Sequence, residues 1–262
     1  MQVVAGNGAQ IPAIGLGTWD LRGRVCARIV EQALRLGYRH IDTAQIYDNE
    51  REVGQALRAS GLPRQEVFVT TKVWPTHFSP PDLERSVRDS LGRLRMSHVD
   101  LLLLHRPSTR IPLSETIAAL AHMKREGHAR HIGISNFDAA LTREAARLCP
   151  EPLACNQAHY HPHNDQRPLL EACQDLGIAV VAYSPINRGA VKDDVTLAEI
   201  GRRNNKSAAQ VALRWLVQQG VSVIPRTSRL ERLSENLAIF DFELEPDDMA
   251  QIFALGAGRG GT

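Results

Sequence analysis

The chain has 262 residues, 43% of them hydrophobic, with a formal net charge of +2. That is enough apolar material for a large core, and no Pro, Ser or Gly-rich linker divides it, so one domain over residues 1–262 is expected. The small, dispersed charge argues against a nucleic-acid partner, and neither a secretory leader nor a membrane span stands out. A small-molecule partner and a cytoplasmic location are the expectation.

Two short apolar arms over residues 3–11 flank Asn7-Gly8 and read as a β-hairpin, suited to plug one end of a barrel. A glycine-containing strand follows at 13–18, and helical spacing runs over 25–36 to a stop at Gly37. Further strand-like runs lie at 38–41, 67–71, 99–104, 131–134, 153–156, 178–182 and 221–224. Between them come helical patterns at 81–94, with Ser79 as cap, at 113–125, closed by Gly127, and at 166–176, closed by Gly177. The eight strands are mostly short and continuously apolar, as parallel strands covered on both faces are. This predicts an α/β fold, a single (β/α)8 TIM barrel with an N-terminal hairpin plug, in preference to an open doubly wound sheet.

Two glycine-rich stretches test the doubly wound alternative. Residues 15–20 lack the third glycine of a dinucleotide loop. Residues 256–261 have the spacing but stand one residue from the last, with no room for a helix to present its N-terminus to a phosphate, and read as a flexible tail.

The strands end on polar residues: Asp42, Lys72, His105, Ser135-Asn136, Gln157, Tyr183 and Pro225-Arg226-Thr227. Repeated around a barrel, this places a polar ring at one mouth, where barrel enzymes keep their chemistry. Lys72 stands out within it, because 27 of the 31 basic residues are arginine and the other lysines are only Lys124, Lys192 and Lys206. A compact ammonium beside Tyr47 would favour the phenolate and bring a pKa of about 10 toward the working range, with Asp42 holding the lysine in place. His105, leaving an apolar strand, could then orient a carbonyl oxygen. A buried ion pair that merely braces the barrel is the competing explanation for Asp42 and Lys72.

The cysteines, Cys26, Cys149, Cys155 and Cys173, show no C-x-x-C spacing and read as reduced, mostly buried thiols. His159, His161 and His163 alternate, but Pro162 interrupts a regular strand and no thiol or carboxylate completes a set, so no metal site is assigned.

Residues 15–19 (GLGTW), 42–50, 71–74 (TKVW), 104–107 (LHRP), 133–137 (GISNF), 156–157 (NQ), 183–185 (YSP) and 224–227 (IPRT), with Glu231-Arg232 and Glu235-Asn236, together resemble the aldo-keto reductase superfamily, most closely its bacterial 2,5-diketo-D-gluconate reductases. The resemblance implies NADPH-dependent reduction of aldehydes or ketones, keto-acid sugars among them, by a tetrad of Asp42, Tyr47, Lys72 and His105. Tyr47 would be the proton donor. It further implies cofactor contacts from Thr18, Trp19 and Asp42; from Ser135, Asn136 and Gln157 to the carboxamide; from Tyr183 to the ring; and from the loop of Ser184, Pro185, Ile186, Arg188 and Gly189 to the pyrophosphate. Arg226, Thr227, Ser228 and Arg232 match the 2′-phosphate end, with Glu235 and Asn236 at the adenine. Trp19, Trp74, Tyr47 and His105 would line a substrate pocket in an enzyme that is often monomeric.

Arginine replaces the common lysine at position 226, keeping the charge. Arg106 stands where the family commonly has tryptophan, and either reaches an anionic substrate or turns to solvent. The sequence stops at Thr262 without the long closing loop of many relatives, so an open site is expected. A nicotinamide-binding regulator on the same fold, and a lyase using Lys72 as a Schiff base, are the competing functions. Retention of the whole tetrad argues against the first, and the Arg226 and Arg232 pair against the second.

Overall fold

The computed structural model describes residues 2–257. The end of the glycine-rich stretch read above as a tail lies outside them.

Strands β1 (Val3–Gly6) and β2 (Ala9–Pro12) form the expected antiparallel hairpin. Asn7 and Gly8, both at positive φ, make its turn. The Asn7 side-chain amide donates to the carbonyls of Leu153 and Leu176 at 2.8 and 3.1 Å. These lie at or just before the starts of the barrel strands Leu153–His159 and Ala179–Tyr183, so the hairpin covers the end of the barrel opposite the polar ring.

The remaining strands are β3 (Leu16–Gly17), β4 (His40–Asp42), β5 (Phe68–Val73), β6 (Val99–Leu104), β7 (Ala129–Ser135), β8 (Leu153–His159), β9 (Ala179–Tyr183) and β10 (Ser222–Ile224). All pair in parallel in chain order, and bridges from Ile14 to Val223 and from Gly17 to Arg226 bring β3 back onto β10. The sheet is thus a closed (β/α)8 TIM barrel, as expected. The crossovers carry helices α1 (Gly23–Arg35), α2 (Glu50–Ala59), α3 (Pro80–Leu94), α4 (Leu113–Arg125), α5 (Ala139–Leu148), α6 (Arg167–Asp175), α7 (Val195–Asn204), α8 (Ala208–Gln218) and α9 (Leu230–Leu237), with α10 (Pro246–Ala257) last.

The middle of the barrel is oily. All six residues of β6 are buried, and the one carboxylate among them, Asp100, accepts from the Val69 amide at 2.9 Å and pairs with Arg64 at 2.6 Å. Two sequence expectations shift. Lys72 and Gln157 lie inside β5 and β8 rather than beyond them, because the strands run further into the polar ring than their apolar stretches do. Ser79 starts α3, but its hydroxyl bonds the Asp82 carboxylate at 2.6 Å instead of capping a backbone amide.

Strand alternation sets the depth of each inward residue. His40 and Thr70 meet at 3.1 Å in one layer, and Asp42, Lys72 and Gln157 meet in the layer above it. Gly17 stands on the closing seam, where an added Cβ would come 2.7 Å from the Ile224 carbonyl oxygen. Gly17→Ala is therefore expected to lower stability by about 1–3 kcal/mol through overpacking of backbone against backbone. Thermal unfolding would report this as a lower Tm, and an unchanged Tm would mean that the seam gives way freely.

Candidate active site

Asp42 ends β4 with both carboxylate oxygens engaged. Oδ1 accepts from Lys72 Nζ at 2.5 Å and Oδ2 accepts from Gln157 Nε2 at 2.7 Å. Lys72, 1% exposed, also donates to the Thr43 carbonyl at 2.9 Å and points its remaining proton at the Tyr47 hydroxyl, 3.4 Å away. Tyr47 reaches this position on a short 3-10 turn, Gln45–Tyr47. The turn is tied down by Gln45, whose amide donates to the Ser86 carbonyl and Ser90 hydroxyl and whose Oε1 accepts from the Trp74 amide.

Burial pulls the Lys72 ammonium toward neutrality, but Asp42 and Tyr47 outweigh it, and its pKa is raised. It stays charged. For Tyr47 the balance corrects the sequence expectation: burial raises the phenol's pKa above its ordinary 10.0, and the pull of Lys72 only partly offsets this. Tyr47 is therefore a protonated phenol near neutral pH, the form a proton donor needs.

His105 follows β6 directly. Its ring lies edge-on to Tyr47 and Trp74, with centroids 5.7 and 5.0 Å away. Nδ1 is buried without a hydrogen-bond partner among the described residues, which leaves Nε2 as the nitrogen open to the cavity. Burial, with Lys72 and Arg106 nearby, lowers its pKa to about 3, so the imidazole is neutral.

Asp42, Tyr47 and His105 form the floor of a cavity of about 570 Å³ at the C-terminal mouth of the barrel, with Lys72 buried beneath it. Along it lie Ser135, Asn136, Gln157, Tyr183, Ser184, Pro185, Ile186, Arg188, Gly189 and Arg226, with Trp19 and Trp74. Asn136, at φ 63, joins neighbouring strand ends: its amide donates to the His105 carbonyl at 2.9 Å and its Oδ1 accepts from the Tyr183 hydroxyl at 2.7 Å. Tyr183 is stacked on His159 at 5.3 Å and 15°, so its opposite face is left for a flat ring in the cavity. Beyond it, Ser184, Asn187, Arg188 and Gly189 all hold positive φ, a strained turn of the sort found where a ligand dictates the backbone. The Arg188 guanidinium lies 5.1 Å over Trp19, and Arg226 donates to the Trp19 and Asp20 carbonyls at 3.1 and 2.9 Å. A stacking face, amides and two guanidiniums along one cleft fit an extended, anionic nicotinamide dinucleotide.

Not every predicted residue lines this cavity. Thr18 is fully buried and donates to the Asp42 carbonyl from beneath the mouth. Thr227, Ser228, Arg232, Glu235 and Asn236 lie beyond the cavity wall, around the start and along the length of α9. There Arg232 pairs with Glu235 at 2.6 Å, and Asn236 is 4% exposed. Arg106 is exposed and does not line the wall; its guanidinium lies 5.7 Å over the Trp74 ring. Sequence reasoning missed Gly17, Asp20, Ile46 and Ile224 as lining residues, and His159 as the backing of Tyr183. The one available signal was an isoleucine directly before Tyr47 in the stretch that leaves β4 at the mouth.

The Aldo/keto reductase family profile matches residues 13–257. The chain belongs to that family. It is therefore an oxidoreductase of aldehydes and ketones that takes hydride from NADPH. Among relatives of this reductase, the methylglyoxal reductase DkgB of Salmonella typhimurium is 40% identical over 248 residues, covering 94% of this chain and 93% of that one. The glyoxal reductase of Bacillus subtilis is 38% identical over 250 residues, covering 95% and 90%. The crystal structure of a protein provisionally assigned as a 2,5-diketo-D-gluconic acid reductase B superposes with a TM-score of 0.96 at 48% identity, over 100% of this chain and 95% of that one. An aldo-keto reductase crystallised with NADPH gives 0.91 at 34% identity, over 97% and 86%.

The two pKa directions predict the pH dependence of the reductase. With His105 already neutral above about pH 3 and Tyr47 protonated to beyond 10, kcat/KM for reduction should show no step between about pH 5 and pH 9, and should fall only on the alkaline side as the phenol loses its proton. A step near neutrality that disappears in His105→Asn would mean that the imidazole titrates there after all.

Proposed function

We propose that Asp42, Tyr47, Lys72 and His105 carry the carbonyl reduction, with Tyr47 as proton donor. What carries the reading is the placement of Lys72, saturated by Asp42 and Thr43 on one side and aimed at the Tyr47 hydroxyl on the other. The neutral His105 and the Tyr47 hydroxyl, on adjoining parts of the cavity floor, orient the substrate oxygen. NADPH, when bound, supplies the hydride to the carbonyl carbon. Tyr47 gives its proton to the oxygen as negative charge develops there, and the Lys72 ammonium stabilises the phenolate left behind. Asp42 keeps Lys72 charged and in register. The apolar side chains of Trp19, Ile46 and Trp74 line the cavity beside the reacting centre.

Tyr183, Asn136, Ser135 and Gln157 would hold the nicotinamide end, the turn of residues 184–189 the pyrophosphate, and Arg226, Thr227, Ser228 and Arg232 the 2′-phosphate. Glu235 and Asn236 would meet the adenine. Arg232 is free to exchange Glu235 for phosphate at the rim, where a surface ion pair is worth little. Substrates are small polar carbonyl compounds, oxoaldehydes and keto-acid sugars among them, in line with the names of the relatives. The free thiols Cys26, Cys149, Cys155 and Cys173 suit the reducing cytoplasm, and a monomer is proposed on the family resemblance alone.

Replacement of Tyr47 by Phe should cut kcat about a thousandfold while NADPH binding, followed by its fluorescence, persists. Undiminished turnover would remove Tyr47 as the donor. Wild-type protein that binds NADPH but oxidises none with any aldehyde would point to a regulator instead.

A further inference from the structure

Apart from the buried Lys72, the arginines beside the cavity separate into two groups. Arg188 and Arg226 gather at the Trp19 end, the first over the indole and the second bonded to backbone carbonyls. Arg106 stands on the Trp74 side, next to His105 and 5.7 Å over the Trp74 ring. Trp74 in turn meets His105 at 5.0 Å and lines the cavity. Among the described residues no carboxylate pairs with Arg106, whereas Arg64 and Arg130, at the opposite end of the barrel, are both bound to Asp100.

A guanidinium resting on an indole face keeps its orientation and leaves its edge donors open, and that edge matches the two oxygens of a carboxylate. Trp74, which lines the cavity, thus holds a positive, hydrogen-bonding group just outside its rim, next to the histidine that would orient the carbonyl. We propose that Arg106, seated on Trp74, is the anion-recognising residue of the substrate pocket and selects carbonyl compounds that also carry a carboxylate. This rests on the reductase reading above and narrows its substrates to oxo acids and similar anions.

The test compares para-carboxybenzaldehyde with its methyl ester, which share the ring and the reacting aldehyde and differ in charge. With NADPH saturating, the ratio of kcat/KM for acid over ester is measured in the wild type, Arg106→Met and Arg106→Lys. The ratio should fall about tenfold or more in Arg106→Met, while Arg106→Lys keeps part of it. An unchanged ratio in Arg106→Met overturns the proposal. Should that variant fail to fold, the wild type decides: added salt should raise KM for the acid and leave that for the ester, and a salt-independent KM for the acid overturns the proposal. A protein that reduces the ester alone sinks only this proposal, whereas one that reduces neither sinks the reductase reading with it.

Discussion

The site depends on burying an ammonium and a carboxylate together beneath the barrel mouth. Taking two charges from water costs several kcal/mol each, and their attraction offsets this only if every remaining donor and acceptor is met. Here they are: Asp42 has Lys72 on one oxygen and Gln157 on the other, and Lys72 has Asp42, Thr43 and Tyr47. Removing either partner would strand a buried charge at a cost of about 3–5 kcal/mol. Since apolar residues could brace β4, β5 and β8 at less cost, a purely structural role explains the pair poorly. A charge held against a phenol in a dry site explains it well.

That arrangement also shows why the donor works without an unusually acidic phenol. Burial wins over Lys72 and keeps Tyr47 protonated, so the cation acts mainly when the proton leaves. The benefit falls on the charged state that develops during reaction rather than on the resting one, which is where stabilisation accelerates a reaction. A neutral His105 complements this, because a charged imidazole beside Lys72 would raise the local positive charge further.

Much of this was legible in the sequence. Asp42, Lys72 and His105 each stand near the C-terminal end of a strand, and in a parallel barrel those ends share one mouth, while the hairpin followed from Asn7-Gly8. Other features were hidden for physical reasons. The two-residue β3 depends on pairing with β4 and on closure against β10 rather than on its own propensity, so its bounds could not be read locally. The sign of the Tyr47 shift turns on burial, which no motif encodes. The stacking of His159 on Tyr183 joins residues from adjacent strands, and only the register of β8 on β9 brings them together.

The central claim is that Lys72 eases the ionisation of Tyr47. It is tested most directly by titrating the phenol by ultraviolet difference absorbance in the wild type and in Lys72→Met, with Tyr47→Phe subtracted from each to isolate the one residue. An ionisation displaced to higher pH when the ammonium is removed is the predicted result. An unmoved ionisation would contradict the account.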